Sequence, residues 1–289
     1  MMRNILPVLT VVTVIIVIWY AAAISMNAPW AYDQAARAGK ELSFSELVKN
    51  TMSQERARLP APHQVAAEIW KTTVQKKVTS KRSLIFHGWI TLHATLWGFA
   101  LGVTIGLTLA IAIVYSRVME MGVMPWAVIS QTIPIVAIAP MIIVMMSLMG
   151  IQERLVPKAI ISAYLCFFPV LVGMIKGLRS PGMMQMDLLR TYHASPAQSF
   201  WKLRFPSSMP YLFTSLKIGI AAALVGTIVG ELPTGALRGL GARILVGDQF
   251  GPPIRIWSAL IVAALLAGAL VTIVGIIQKI TLKRMGMSR

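Results

Sequence analysis

The side chains from which catalysis is usually built are few in this chain, and their spacing assembles no reacting centre. Among its 289 residues are ten carboxylates, four histidines and one cysteine, Cys166. No two histidines stand at the spacing of a metal-ligand pair, and His93, near the start of an apolar run, reads as an interfacial side chain. The sequence holds no HExxH, CxxC or GxSxG, and no glycine-rich loop ending in Lys-Ser or Lys-Thr that would cradle the phosphates of ATP. Two polar sites stand out against apolar surroundings. Glu231 closes a long hydrophobic run after Gly226 and Gly230, where a carboxylate either pairs with a cation such as Arg238 or Arg243 or lines a gate or solute path. Gln131 and Thr132 lie beside Pro134 inside another such run, and broken backbone is tolerated in lipid only where protein or a cavity covers it. These residues suit the passage of a solute better than covalent chemistry.

The elements that must position them follow from composition. The chain is 56% hydrophobic and only 13% charged, with mean hydropathy +0.71, whereas a soluble domain carries about 25% charged residues. An all-α, polytopic membrane protein is expected. The formal charge of +17 is spread through the loops between apolar runs, with no reading helix or aromatic-rich motif, which excludes nucleic acid as a partner. Cys166 sits in an apolar run and has no second cysteine to pair with.

Six apolar runs reach the roughly 20 residues needed to cross a bilayer: Ile5 to Met26, Trp89 to Tyr115, Met121 to Met146, Leu155 to Lys176, Tyr211 to Glu231 and Ile256 to Gln278. The first has a rival reading as a cleaved signal peptide, with Arg3 before it and Ala21 to Ala23 as the processing site. The second carries Gly98, Gly102 and Gly106 at four-residue spacing, a smooth ridge suited to close helix packing. The third is interrupted by Pro125, Pro134 and Pro140 and is expected to line the translocation path with Gln131 and Thr132. Residues 27–88 form a polar segment. It holds a capping box at Ser43-Phe44-Ser45-Glu46 and, after Leu59-Pro60-Ala61-Pro62, an amphipathic helix marked by Val65, Ile69, Trp70 and Val74. The layout is therefore a first membrane helix over 1–26, a polar segment over 27–88, a five-helix core over 89–278 and a tail over 279–289.

Six crossings put both termini on one side. With the N-terminus inside, the inner side holds Arg3, Arg117, Lys176, Arg179, Arg190, Lys202, Arg204, Lys279, Lys283, Arg284 and Arg289. The short outer loops hold Arg154, Lys158, Arg238, Arg243 and Arg255. The excess of positive residues makes the inner side cytoplasmic. Lys71, Lys76, Lys77, Lys81 and Arg82 oppose that vote from the long outer segment.

The most patterned polar stretch is Asp187 to Pro210, within a loop spanning 182–210. Asp187 to Tyr192 reads as a short helix and His193-Ala194 as a turn. Ser195 then opens a second helix as N-cap, with Pro196 at the first position and Gln198 completing a capping box. Pro206 and Pro210 are expected to stop that second helix. Such a rigid knuckle suits docking.

This stretch resembles the cytoplasmic loop of permease subunits of bacterial binding-protein-dependent ABC importers. The family pattern runs E-A-A, three residues, Gly, about nine residues, then hydrophobic-x-Leu-Pro. Asp187-Leu188-Leu189, His193 and Leu203-Arg204-Phe205-Pro206 fall at the matching positions, with Asp in place of Glu and His193 in place of glycine. Three further stretches look like the nitrate, sulfonate, taurine and pyrimidine-precursor importers. They are Leu59 to Val65, Ile133 to Pro140, and Gly230-Glu231 with Gly239-Leu240-Gly241. The likeness covers roughly residues 59 to 280, so Asn27 to Arg58 reads as an insertion. It implies a type I importer permease in the inner membrane, working as a homodimer with two ABC ATPase subunits and a periplasmic solute-binding protein. The chain itself would be no enzyme and would bind no cofactor, with ATP and Mg on the partner ATPase. The resemblance also implies that Asp187 and Arg190 make polar contacts with that ATPase, that Tyr192, Phe200 and Trp201 anchor it, and that Ser195 caps the second helix at the His193 turn. A secondary transporter or channel is the rival reading, weakened by the scarcity of intramembrane charge.

Overall fold

A computed structural model describes residues 2–39, 41–54, 56–151, 153–233 and 238–287, without the side chains of 2–5 and 250. Arg289, counted above among the inner cations, lies outside these residues, as does the side chain of Arg3. The described chain is helical, without strands. Its elements are α1 (Met2–Arg37), α2 (Phe44–Ser53), α3 (Pro62–Thr73), α4 (Leu84–Tyr115), α5 (Arg117–Ser130), α6 (Ile135–Leu148), α7 (Leu155–Leu178), α8 (Met183–Thr191), α9 (Pro196–Ser199), α10 (Phe205–Glu231), α11 (Leu240–Phe250) and α12 (Ile254–Arg284). They fall into two compact units, Met1–Gly88 with Ala242–Ala263, and Trp89–Gly241 with Ala264–Arg289.

In the first unit α1 runs to Arg37, eleven residues beyond the Met26 boundary expected from hydropathy. Buried polar contacts carry the helix past its apolar run. The Asn27 side-chain amide donates to the Leu59 carbonyl (2.9 Å) and its oxygen accepts from the Leu59 N–H (3.3 Å). The Trp19 indole donates to the Pro60 carbonyl (3.0 Å), and Tyr20 stacks on His63. The polar segment is thereby stapled to α1. The Glu46 carboxylate accepts from the Ser43 N–H at the start of α2 (3.1 Å). On α3 the apolar stripe divides: Val65 is buried while Trp70 and Val74 are exposed.

The second unit is built on α7 packed along α10. The glycine ridge of α4 lies against α7: a Cβ on Gly102 would stand 2.8 Å from the Cys166 Cβ, and Gly98 and Gly106 face Ser162 and Val170 in the same order. Equal steps in the same direction make α4 and α7 parallel. The α10 helix runs the other way, with Ser208 against Gly177 and Gly226 against Ser162. Hydroxyls cross-link the three helices: Thr95 donates to Thr227 (3.0 Å) and Ser162 to the Ala223 carbonyl (2.8 Å).

This geometry counts the crossings. Among the described residues five helices are long and apolar enough to span a membrane, and α5 and α6 form a pair bent by 102°. Tyr115 at the end of α4 meets Phe200 beside α10's start, with ring centroids 6.1 Å apart, whereas Lys158 at the start of α7 pairs with Glu231 at α10's far end. The chain must return across the bundle between them, and only α5 and α6 can carry it. The bent pair is one broken span, the sixth.

Candidate functional site

The knuckle is assembled from local signals. Gln185 accepts from the Gly182 N–H (3.2 Å) at the start of α8, and Arg190 pairs with Asp187, three residues before it, at 3.0 Å in solvent. His193 turns the chain with φ of 51°, the only positive value at a non-glycine residue among those described. A left-handed residue that is not glycine costs on the order of 1 kcal/mol, and the fold holds it here. Ser195 then caps α9 from both directions: its hydroxyl accepts from the Gln198 N–H (3.2 Å), and the Gln198 side chain accepts from the Ser195 N–H (2.9 Å).

The second helix of the knuckle does not stop at Pro206 and Pro210, contrary to expectation. It continues through one π turn over Phe200–Arg204 into α10, giving an unbroken helical path from Pro196 to Glu231. In that turn the Phe205 N–H reaches back five residues to the Phe200 carbonyl. The widened turn leaves room for the Pro206 ring, which would strike the carbonyl four residues back in a regular helix. The Ser208 hydroxyl satisfies the Phe205 carbonyl (2.7 Å). The knuckle and the fifth span are consequently one rod.

Of the anchoring residues named from sequence, Tyr192 (76% exposed) and Trp201 (63%) face outward. Phe200 is half-buried and faces inward, meeting Tyr115 of α4 and Phe205 of α10. It fastens the knuckle to the bundle. Sequence reasoning missed Met183, Met184 and Leu188, which add large apolar surface on α8. Their signal was apolar side chains on a short, capped polar helix.

Glu231 lies at the opposite end of α10, and its side chain is 0% exposed. Its ion-pair partner is Lys158, at 3.2 Å and 4% exposed, one turn into α7. The carboxylate also accepts from the Thr91 hydroxyl on α4 (3.0 Å) and from the Gly241 N–H (2.7 Å). Thr91 in turn accepts from the Leu240 N–H (2.9 Å), and Lys158 donates to the Arg238 carbonyl (3.4 Å). A side chain on Gly239, at φ of 126°, would collide with the carboxylate. The Gly239-Leu240-Gly241 turn is thus folded around Glu231 and ties three helices together. Lys158 was expected in an outer loop, with Arg238 or Arg243 as the cation for Glu231, but it is buried inside α7; its place in an apolar run was the available clue, since a buried cation requires a counter-charge.

Gln131, Thr132 and Pro134 occupy the break between α5 and α6, apart from both regions. Thr132 donates to the Ile129 carbonyl (2.8 Å), Gln131 to Ser130 (3.3 Å), and the Tyr164 hydroxyl to the Ser130 carbonyl. Thr132 and Pro134 are exposed and Gln131 half-exposed. Among the described residues no group of three or more His, Cys, Asp or Glu could hold a metal.

This arrangement has counterparts. The chain is 32% identical over 197 residues to the formylaminopyrimidine transport permease protein ThiX of Halalkalibacterium halodurans, covering 67% of this chain and 73% of that one. It is 31% identical over 228 residues to the riboflavin transport system permease protein RibX of Chloroflexus aurantiacus, covering 78% and 80%. Its fold is similar to a chain of the MetNI methionine ABC transporter, with a TM-score of 0.59 and 17% identity over 71% of this chain and 96% of that one. Residues 102–287 match the family described as binding-protein-dependent transport system inner membrane component, and the chain belongs to that family of ABC importer permeases.

Proposed function

We propose that this chain is one half of a homodimeric permease in the bacterial inner membrane. It carries a small solute of the nitrate, sulfonate, taurine or pyrimidine-precursor class into the cytoplasm, delivered by a periplasmic binding protein and driven by two separate ATPase subunits that hold ATP and Mg. The observation that carries the coupling role is the knuckle. Tyr192, Trp201, Met183, Met184 and Leu188 leave its apolar surface exposed, and an unbroken helix joins it to the fifth span. A force applied at Trp201 moves α10 as a rod, which is what a lever between an ATPase and a gate requires. With six crossings the knuckle and both termini share the cytoplasmic side, in keeping with the positive charge there.

The break at Gln131 to Pro134 supports the dimer and the path. Irregular backbone within a spanning segment must be covered by protein or border a water-filled cavity. Around it Val136, Met141 and Val144 are also exposed in the single chain. A second copy set against this surface covers the apolar face and leaves Gln131 and Thr132 on the passage between the two.

The test is Arg190→Glu combined with Ser195→Ala. ATPase co-purification and receptor-stimulated uptake are expected to fall by about ten-fold or more, as at an interface hot spot, with the permease still in the membrane. Full ATPase capture and full uptake in this variant would remove the knuckle from the coupling role.

A further inference from the structure

A second feature lies wholly in the first unit, between the polar segment and the stretch of α11 and early α12 that belongs to that unit. A cavity of about 730 Å³ is bordered there by Arg56, Lys71, Lys76, Arg82, Arg243 and Arg255. Among the described lining residues the sole carboxylate is Glu68. Six cations around one concavity repel one another, and a fold does not gather them for its own stability. The strain centres on Arg243: its Nε is shut off from solvent and has no hydrogen-bond partner among the described residues. Burial, followed by the charges of Arg255 and Arg82, pushes the Arg243 guanidinium below its ordinary pKa, with Glu68 acting in the opposite direction. An arginine stays protonated nonetheless, so its donors remain to be met.

We infer that this cavity is a binding site for a small organic oxyanion, held through a phosphate, sulfonate or carboxylate group by the guanidiniums of Arg243, Arg255 and Arg82. The planar fork of arginine matches two oxygens of such a group at once. Lys71 and Lys76 add positive charge without a fixed geometry. The volume is within the range of sites for ligands larger than a bare inorganic ion, so the oxyanion has a body. Two sources share this chemistry: a soluble metabolite and an anionic lipid headgroup. The site stands apart from the knuckle, and its occupancy needs no ATPase.

The full-length protein in phosphatidylcholine nanodiscs, without ATPase, is titrated with inorganic pyrophosphate and with methanesulfonate, followed by calorimetry and thermal unfolding. A saturable response that weakens as salt rises is expected, and Arg243→Gln should weaken it at least ten-fold. Lys71→Gln with Arg82→Gln changes only exposed side chains and should also weaken it, which covers the case in which Arg243→Gln fails to fold. Nanodiscs containing phosphatidylglycerol form the second arm. Competition there assigns the site to lipid headgroups, and its absence assigns it to a soluble oxyanion; either supports the inference. No saturable response to either probe or to the lipid overturns it, as does an equal response in the double variant. Loss of receptor capture in the same variants without probe binding would replace the oxyanion by an acidic protein surface.

Discussion

Two acid–base pairs flank the rod, Asp187 with Arg190 on α8 of the knuckle before it and Glu231 with Lys158 at its far end, and they have opposite surroundings. Asp187 and Arg190 stand in solvent on the knuckle, with side chains 60% and 78% exposed, while Glu231 and Lys158 are closed inside the bundle. An exposed pair contributes at most about 1 kcal/mol and leaves both groups available to a partner. A buried pair has given up its water, and each group then depends on the other. The same chemistry makes one end of the rod a surface and the other a joint. A lever requires both, since a pushed end moves a gate only if its far end is fixed to something.

Three changes would break or sharpen that contrast. The largest effect is expected for Lys158→Ala, which removes the buried cation that pairs with Glu231. Detergent-solubilised protein should lose about 3–5 kcal/mol of stability, read as a lowered unfolding midpoint, whereas Arg190→Ala should barely move it. Lys158→Met with Glu231→Gln, which keeps an acceptor for Thr91 and Gly241, should recover much of the loss, and a double variant as unstable as Lys158→Ala would refute the pairing as its cause. Next is Gly239→Ala. Its φ of 126° and the adjoining carboxylate leave no room for a Cβ, and about 1–3 kcal/mol should be lost. Insensitivity of the midpoint would mean that the Gly239-Leu240-Gly241 turn does not clasp Glu231. The smallest change is His193→Gly, which should relieve about 1 kcal/mol of left-handed strain. Thermal unfolding should shift slightly upward with ATPase capture retained; a fall in stability would assign the histidine side chain a contact that outweighs its backbone cost.

The knuckle was the most legible region because its signals lie within a few residues of each other. Ser195 and Gln198 are three apart, and His193 stands where the resembling family carries the glycine of a turn. Its far boundary was misread for a physical reason. Pro206 ends a regular helix, but a π turn changes the register in which the proline is met, and no local pattern announced that turn. Glu231 stood out in the sequence, but Lys158, with which it pairs, lies 73 residues away on another helix. Phe200 was read as an outward anchor, although its environment is set by Tyr115, which is remote in sequence.

The amino-acid sequence by itself determined the all-helical membrane class, the placement of the apolar runs, the knuckle with its caps, and the absence of a phosphate-binding loop. These follow from composition and from interactions spanning four residues or fewer. Only the tertiary structure decided that the knuckle and fifth span are one rod, that Lys158 neutralises Glu231 under a glycine-bounded turn, and that six cations from two distant segments surround one cavity. Those facts depend on which helices lie side by side and in which direction, and spacing along a chain does not encode them.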